Sequence, residues 1–293
     1  MIAVSLMGIG SSIFHPESSR VAYLASGGKK GLAQSIFQLG GNAGSAIGPL
    51  LAALIIIPYG QFHLIWFSVA AILAMLILLQ IGKWYQCRLR SKMTGPVVDF
   101  IEKGPRLSRK RIMLSICILL ILIFSKYFYM ASITSYFTFF LIDKFHVTVQ
   151  ESQLYLFAFL AAVAAGTIIG GPLGDRFGRK YIIWISILGA APFTMLLPYV
   201  GLKGTICLAI LIGLIISSAF SAILVYATDL LPGKVGMIAG LFFGFAFGMG
   251  AVGSALLGWL ADRTGIAYIF QICAFLPLIG IITYFLPDIE RKA

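Results

Sequence analysis

The chain has 293 residues, of which 60% are apolar and 11% are charged, and its formal net charge is +12. A soluble domain cannot hide so much apolar surface, so this composition excludes a soluble protein and indicates a polytopic membrane protein. The basic residues lie in the gaps between apolar runs, which favours a lipid bilayer over nucleic acid as the partner. The four cysteines are scattered singly, which excludes a disulfide framework and predicts no metal site.

Nine apolar runs separated by charged gaps are each long enough to cross a bilayer, which requires about 20 residues. The runs cover residues 1–26, 31–57, 64–85, 112–141, 151–174, 181–199, 204–227, 235–261 and 267–287. We therefore predict an all-α polytopic membrane protein with nine transmembrane helices.

One gap is much longer than the others. Residues 86–111 are rich in Lys and Arg, and Gly95-Pro96 and Gly104-Pro105 disfavour a helix within them. The basic residues are Arg88, Arg90, Lys92, Lys103, Arg106, Arg109, Lys110 and Arg111. We interpret this segment as a linker between two helical bundles, residues 1–85 and residues 112–293.

The distribution of positive charge predicts the orientation. If the linker is cytoplasmic, alternation of the helices places 18 Lys and Arg residues on its side and three, Lys144, Lys203 and Arg263, on the other. Cytoplasmic loops of membrane proteins carry an excess of Lys and Arg. We therefore predict a multi-pass protein of the cytoplasmic (inner) membrane whose linker and C-terminus are cytoplasmic.

An internal repeat relates the two bundles at an offset of 205 residues. Identical pairs include Gly28/Gly233, Lys29/Lys234, Gly31/Gly236 and Gly60/Gly265. The first three runs thus correspond to the last three, and the helix ends align as well. The simplest interpretation is a twelve-helix protein of two six-helix halves, in which residues 1–85 are the remnant of the N-terminal bundle and its first three helices are absent.

A charged turn between two apolar runs identifies a family. The segment Gly171-Pro-Leu-Gly-Asp175-Arg-Phe-Gly-Arg179-Lys180 resembles the signature loop of the major facilitator superfamily, Gly-x-x-x-Asp-Arg-x-Gly-Arg-Lys. Parallel six-helix halves joined by a long basic loop describe the same superfamily. Within it, the runs 14–20, 31–42 and 124–131 resemble the fosmidomycin resistance group of drug exporters. The resemblance implies that residues 1–85 are helices 4–6 and residues 112–293 are helices 7–12.

The resemblance implies that the signature loop is a gate. In the superfamily, helix 8 lies against helix 5, so Asp175 is expected to cap the N-terminal end of helix 5 near Gly31 and to pair with Arg179. Gly171 would let the two backbones approach closely, and Arg176 completes the charged turn. The alternative is that these charges only determine the orientation of the protein in the membrane.

Helix 5 carries a second resemblance. Gly44, Gly48 and Pro49 match the antiporter motif of the superfamily, Gly-x-x-x-Gly-Pro-x-x-Gly-Gly, although Ala52 and Ala53 replace its last two glycines. Small residues four apart permit close helix packing, and the proline permits a kink. The resemblance implies exchange of protons for substrate, and ordinary packing of small residues is the alternative.

Lys126 is a lysine near the middle of a membrane run, among aromatic residues that include Tyr127 and Tyr129. A charge at this depth is costly, so it is expected to face a cavity or a partner. No acidic residue lies within a helical turn of Lys126 along the sequence. We therefore predict that it binds an anionic group of a substrate or takes part in coupling, together with the two tyrosines. An acidic residue on one of the absent first three helices is the alternative partner.

Three further polar residues lie in the first run. His15, Glu17 and Arg20 stand close enough in a helix for Glu17 and Arg20 to share a face. His15 and Glu17 are candidate protonation sites, because burial and neighbouring charges can move their pKa values. A self-sufficient structural pair of Glu17 with Arg20 is the alternative.

The resemblance implies a monomeric proton-coupled exporter that moves a small drug-like compound, such as an anionic phosphonate, by alternating access. The apolar runs and the charge pattern alone indicate only a polytopic carrier with buried cations. The proton gradient is the only coupling agent expected, without a bound cofactor, and no constellation of catalytic residues indicates an enzyme. A proton-coupled uptake symporter of the same fold is one alternative, and a non-transporting membrane protein is another. Without helices 1–3, we expect that these 293 residues do not transport by themselves.

Overall fold

The protein is described by a computed structural model over residues 2–94 and 107–289. Within these residues the chain folds into helices, and none of them forms a strand. We number the helices in chain order. They are Ile2–Ala25 (α1), Lys30–Tyr59 (α2), Gln61–Cys87 (α3), Arg109–Phe145 (α4), Val149–Phe177 (α5), Arg179–Tyr199 (α6), Leu202–Leu230 (α7), Val235–Thr264 (α8) and Ile266–Phe285 (α9).

Eight of these helices, α2 to α9, are long and apolar enough to cross a membrane. The helix α1 is 24 residues long but is not one of the eight, because its polar run from His15 to Arg20 lowers its mean hydropathy. The predicted all-α fold of a polytopic membrane protein is therefore confirmed over the described residues.

The helices reach further into the predicted linker, residues 86–111, than expected. In α3, the 3₁₀ turn Gln61–Trp66 is followed by a helix that is described over Phe67–Thr94, which continues past the membrane-length segment Gln61–Cys87. The helix α4 already begins at Arg109, with Ser108 as its N-cap. Both ends of the linker are thus helical. The basic residues Lys103, Arg106, Arg291 and Lys292 lie outside the described residues.

Two helices change their geometry within the membrane-length segments. In α2, Pro49 cannot donate a backbone hydrogen bond, and the helix widens into a π-turn over Ala52–Ile56. In α7, the helix Leu202–Ser217 stops and the helix Ala219–Leu230 begins, with Ser218 between them. Such breaks leave backbone carbonyl groups available to other partners.

The buried core forms two layers along the helix axes. One layer lies near the signature loop and includes Leu119 of α4, Ile183 of α6 and Phe242 of α8. The second layer includes Phe137 of α4 and Phe270 of α9. Because α4 contributes to both layers, it is a central helix of the bundle α4–α9.

The helices α1–α3 contact this bundle along two main lines. The helix α2 packs along α5, and α1 packs against α8. The helix α3 contacts α2 at the π-turn, and its membrane-length segment buries none of its residues. The lines α2–α5 and α1–α8 therefore position the residues discussed below.

Backbone geometry agrees with the offset of 205 residues. Gly60 and Gly265, which the repeat pairs, have nearly the same dihedral angles, φ 91° and ψ 165° against φ 88° and ψ 159°. Gly28 and Gly233 are also a pair, with φ values of 94° and 84°. Positive φ values favour glycine, so each pair marks an equivalent turn between helices.

Candidate functional site

The signature loop lies at the first turn of α2. Asp175, in the last turn of α5, accepts hydrogen bonds from the backbone N–H groups of Gly31 and Leu32, each at 3.1 Å. The helix α2 begins at Lys30, so these groups lack partners within the helix, and the helix dipole favours an anion there. The carboxylate of Asp175 therefore caps α2 across the α2–α5 line.

Two glycines allow this contact. A Cβ atom on Gly31 would lie 2.7 Å from the carbonyl oxygen of Gly171, and a Cβ atom on Gly171 would lie 2.8 Å from the carbonyl carbon of Gly31. Both distances are shorter than side chains tolerate, so a larger residue at either position must move one helix away from the other. The structure thus brings together Gly31, Gly171 and Asp175, as the signature loop predicted.

Four charged side chains form an ion-pair network beside this cap. Arg179 pairs with Asp175 at 3.6 Å and also with Asp229, at the end of α7. Asp229 in turn pairs with Lys30 of α2 at 3.1 Å. Two carboxylates and two cations therefore connect α2, α5, α6 and α7 at the end of the bundle that carries the signature loop. We call these four side chains the gate network.

Sequence reasoning missed Asp229 and Lys30 as members of this network. The signal that the sequence offers for Asp229 is that it is an isolated acidic residue at the same end of the bundle as most of the basic residues. Arg176 lies outside the network, because its exposed guanidinium stacks over the Phe177 ring at 5.4 Å.

Lys126 lies in the middle of α4 with only 5% of its surface exposed. Its Nζ atom donates a hydrogen bond to the carbonyl oxygen of Ser217 at 3.3 Å. That carbonyl belongs to the last turn before the break in α7, where helical carbonyl groups lack partners and the dipole favours a cation. Among the residues that the structure describes, no carboxylate forms an ion pair with Lys126.

His15 of α1 lies against two phenylalanines of α8. The centroid of its ring is 4.9 Å from that of Phe247 and 5.3 Å from that of Phe243. Its Nδ1 atom is 3.0 Å from the carbonyl oxygen of Ser11 and 3.0 Å from the hydroxyl oxygen of the same residue. Either Nδ1 carries a proton and donates it to the carbonyl oxygen, or the hydroxyl group of Ser11 donates to Nδ1, and both tautomers fit this geometry.

Four aromatic rings connect this histidine to the lysine of α4. The ammonium of the lysine lies 5.5 Å from the centroid of Tyr127 and 5.6 Å from that of Phe220. The ring centroid of Tyr127 is 6.5 Å from that of Phe247, and the ring centroid of Phe220 is 5.0 Å from that of Phe243. Helices α1, α4, α7 and α8 thus build one group of rings with a basic side chain at either end, which we call the aromatic cluster.

A cavity of about 310 Å³ lies between α1 and α8, beside the aromatic cluster. Its polar groups are the imidazole of His15 and the hydroxyl groups of two serines of α1. The lining residues are Gly8, Ser11, Ser12, His15, Pro16, Gly240, Phe243, Gly244 and Phe247. An apolar cavity with a few polar groups is the usual form of a small-molecule site.

Comparison with known proteins decides the family. The family model of the Major Facilitator Superfamily matches residues 119–293. The chain belongs to the major facilitator superfamily. It is 60% identical over 292 residues to the fosmidomycin resistance protein of Escherichia coli (strain K12), a match that covers 100% of this chain and 71% of that protein.

Two other relatives widen the comparison. An uncharacterized MFS-type transporter of Bacillus subtilis (strain 168) is 44% identical over 99% of this chain and 71% of its own length. A probable sugar efflux transporter of Helicobacter pylori (strain P12) is 28% identical over 92% of this chain and 67% of its own length. The protein is therefore an MFS transporter with several membrane-spanning helices.

The structure of this MFS transporter separates some residues that the sequence grouped. Tyr129 packs in the second core layer, which also holds Cys273, and not in the aromatic cluster. Glu17 and Arg20 form an ion pair at 3.8 Å, with about half of each side chain exposed at 56% and 46%. This geometry matches the self-sufficient pair that was the alternative reading.

The antiporter-like segment of this MFS transporter is not tightly packed. A Cβ atom on Gly44 or Gly48 would meet no atom of the described residues within 4 Å. Within the described part of the chain, these two glycines therefore do not face a closely packed helix. The effect of Pro49 is visible instead in the π-turn that follows, where Gln150 of α5 donates a hydrogen bond to the carbonyl oxygen of Ala53 at 3.3 Å.

Proposed function

We propose that this transporter exports a small anionic drug, of the phosphonate class, in exchange for protons. The observation that carries the proposal is the buried ammonium of Lys126, which has only a backbone carbonyl as its hydrogen-bond partner among the described residues. An anionic group on a substrate would give this ammonium a charged partner. The similarity to the fosmidomycin resistance protein of Escherichia coli supports the class of substrate.

The aromatic cluster supports a body of modest size on that substrate. The rings of Tyr127, Phe220, Phe243 and Phe247 offer apolar contact between the two basic side chains. His15 is our candidate for proton coupling, because its imidazole lines the cavity beside the aromatic cluster. Glu17 is a second candidate, although its side chain is more exposed.

The gate network supports alternating access. We infer that it lies on the cytoplasmic side, where the positive-inside rule places the signature loop, and that it holds this side closed. Asp175 joins both to the N-terminal end of α2 and to Arg179, so opening requires these contacts to separate. The transporter acts as a monomer in this proposal.

Replacement of Lys126 by Gln tests the proposed function. The change keeps a polar side chain of similar length but removes the charge, so efflux of fosmidomycin and drug tolerance should fall by at least tenfold in cells that express the protein from its own gene. Lys203→Gln is the matched control, because Lys203 is exposed at the start of α7. Equal tolerance in cells with Lys126→Gln and with Lys203→Gln, at equal protein levels, would contradict the proposal.

A further inference from the structure

The cavity and the lysine of the aromatic cluster are separated from each other. The cavity between α1 and α8 is lined by His15, Phe243 and Phe247, whereas Lys126 does not line it. The ammonium of Lys126 instead lies against Tyr127 and Phe220. A substrate in the cavity would therefore contact the imidazole of His15 directly, whereas aromatic rings lie between it and the ammonium of Lys126.

The rings stand in two rows. Phe243 and Phe247 form the row that faces the cavity, and Tyr127 and Phe220 form the row that contacts the lysine. Each ring of the first row contacts one ring of the second. The distance between ring centroids is 5.0 Å for Phe243 and Phe220 and 6.5 Å for Phe247 and Tyr127. The two rows separate the basic side chains.

The two phenylalanines of the first row differ in their freedom to move. Phe243 is 2% exposed and also contacts the rings of Phe37 and Phe220, so it is held on several sides. Phe247 is 47% exposed. Beside it on α8, a Cβ atom on Gly244 or Gly248 would meet no described atom within 4 Å, so space is available for its ring.

We propose that Phe247 controls access from the cavity to Lys126. Its ring leaves its contacts with His15 and Tyr127 and turns into the free space along α8, and the anionic group then passes to the ammonium. Phe243 stays in place and keeps the remaining part of the path narrow. The proposal rests on the proposed function for its substrate, but the access path itself can be measured without transport.

Cysteine labelling at position 126 tests this access path. Cys87, Cys117, Cys207 and Cys273 are replaced by serine or alanine, and Lys126→Cys is introduced into that background. Membranes are treated with the small water-soluble reagent methanethiosulfonate ethylammonium, and the rate of modification is measured with and without Phe247→Ala. We expect slow labelling with Phe247 in place and labelling at least tenfold faster with Phe247→Ala.

Two controls make the result specific. Phe285→Ala removes a ring that is 68% exposed on α9, and it should leave the labelling rate at position 126 unchanged. Ile133→Cys, at a fully buried position of α4, should remain slow in the presence of Phe247→Ala. The inference is overturned if Phe247→Ala does not change the rate at position 126, or if the rates at positions 126 and 133 rise together.

The outcome is independent of the proposed function. If labelling contradicts the role of Phe247 while Lys126→Gln still abolishes efflux, the access path is wrong and the export proposal stands. If Phe247→Ala speeds labelling while Lys126→Gln leaves efflux intact, the path exists but does not serve the proposed substrate.

Discussion

Lys126 shows how a single charged residue can be accommodated inside a membrane protein. A charge near the bilayer centre costs about 2.5–3.5 kcal/mol on insertion scales. A hydrogen bond to a charged group contributes about 1.5–3 kcal/mol, and cation–π contacts contribute about 0.5–2 kcal/mol. The contacts with the Ser217 carbonyl, Tyr127 and Phe220 therefore offset the cost without a carboxylate. An incoming anion does not have to displace a counter-ion.

Replacement of Asp175 tests the proposed role of the gate network. Asp175→Asn keeps the size of the side chain but removes the charge that pairs with Arg179 and with the positive end of α2. Hydrogen bonds to charged groups contribute about 1.5–3 kcal/mol, so the closed state should lose at least tenfold in population. We expect efflux by the protein, measured in whole cells, to fall at least fivefold while its topology and amount stay the same.

Asp262→Asn is the matched control for that change. Asp262 lies near the end of α8, and its side chain is exposed and outside the gate network. Efflux with Asp262→Asn should equal that of the unchanged protein. Unchanged efflux with Asp175→Asn would show that the charges of the signature loop serve orientation alone.

Single residues were predictable from the sequence where a known motif contained them or where a charge inside a membrane run would be costly. The contact of Asp175 with the start of α2 followed from the signature loop, and the burial of Lys126 followed from its position in an apolar run. The role of Asp229 did not follow, because its partners lie far away in the sequence, on α2 and α6. Pairing between distant helices is fixed by packing that no local pattern encodes.

At the scale of elements, α5 makes close backbone contacts on two sides. Gly171 meets α2 on one side, and Gly166 and Gly170 meet α7 on another. A Cβ atom on Gly166 would lie 2.7 Å from the carbonyl carbon of Leu214, and one on Gly170 would lie 2.5 Å from the Cα atom of Ser218. The helix α5 therefore packs against the break in α7, whose Ser217 carbonyl holds Lys126.

Gly166→Ala tests this packing. The added methyl group must push α5 away from α7, and overpacking of this kind costs about 1–3 kcal/mol. We expect a lower midpoint of thermal unfolding in detergent. Gly44→Ala is the control, because a Cβ atom there meets no described atom within 4 Å and alanine favours a helix by about 1 kcal/mol over glycine. An equal unfolding midpoint for both variants would contradict the close packing.

Elements were largely predictable because apolar runs of membrane length have few alternatives to helix. The run 112–141 was placed within α4, Arg109–Phe145, whereas the helix after Gln61–Trp66 runs to Thr94, beyond the predicted run 64–85. The breaks in α2 and α7 were harder to locate. Pro49 indicated the break in α2. The break in α7, at Ser218, follows no proline and lies where α5 packs against α7.

The whole molecule combines two kinds of contact between α1–α3 and α4–α9. Along the α2–α5 line, the two helices are in close contact at the end that holds the glycines and the gate network. Further along, the side chain of Asn42 donates a hydrogen bond to the hydroxyl oxygen of Thr167 at 2.7 Å. The α1–α8 line is looser and contains the cavity. This difference fits a molecule that is held shut at the signature loop while a substrate site remains beside the aromatic cluster.

The class and family of the molecule followed from composition and from the signature loop, because a bilayer restricts both the length and the polarity of its helices. The aromatic cluster did not follow. His15 and Lys126 are 111 positions apart in the sequence, and only the packing of α1, α4, α7 and α8 joins them through a shared set of rings.

Transport in proteoliposomes tests the central claim most directly. The full-length protein, with all of its membrane helices, is purified and reconstituted, and uptake of labelled fosmidomycin is measured with an acidic interior, with an acidic exterior and without a pH gradient. Exchange of drug for protons predicts accumulation only when the interior is acidic, and Lys126→Gln should abolish it. Accumulation driven by an acidic exterior, or equal accumulation with Lys126→Gln, would contradict proton-coupled export through Lys126.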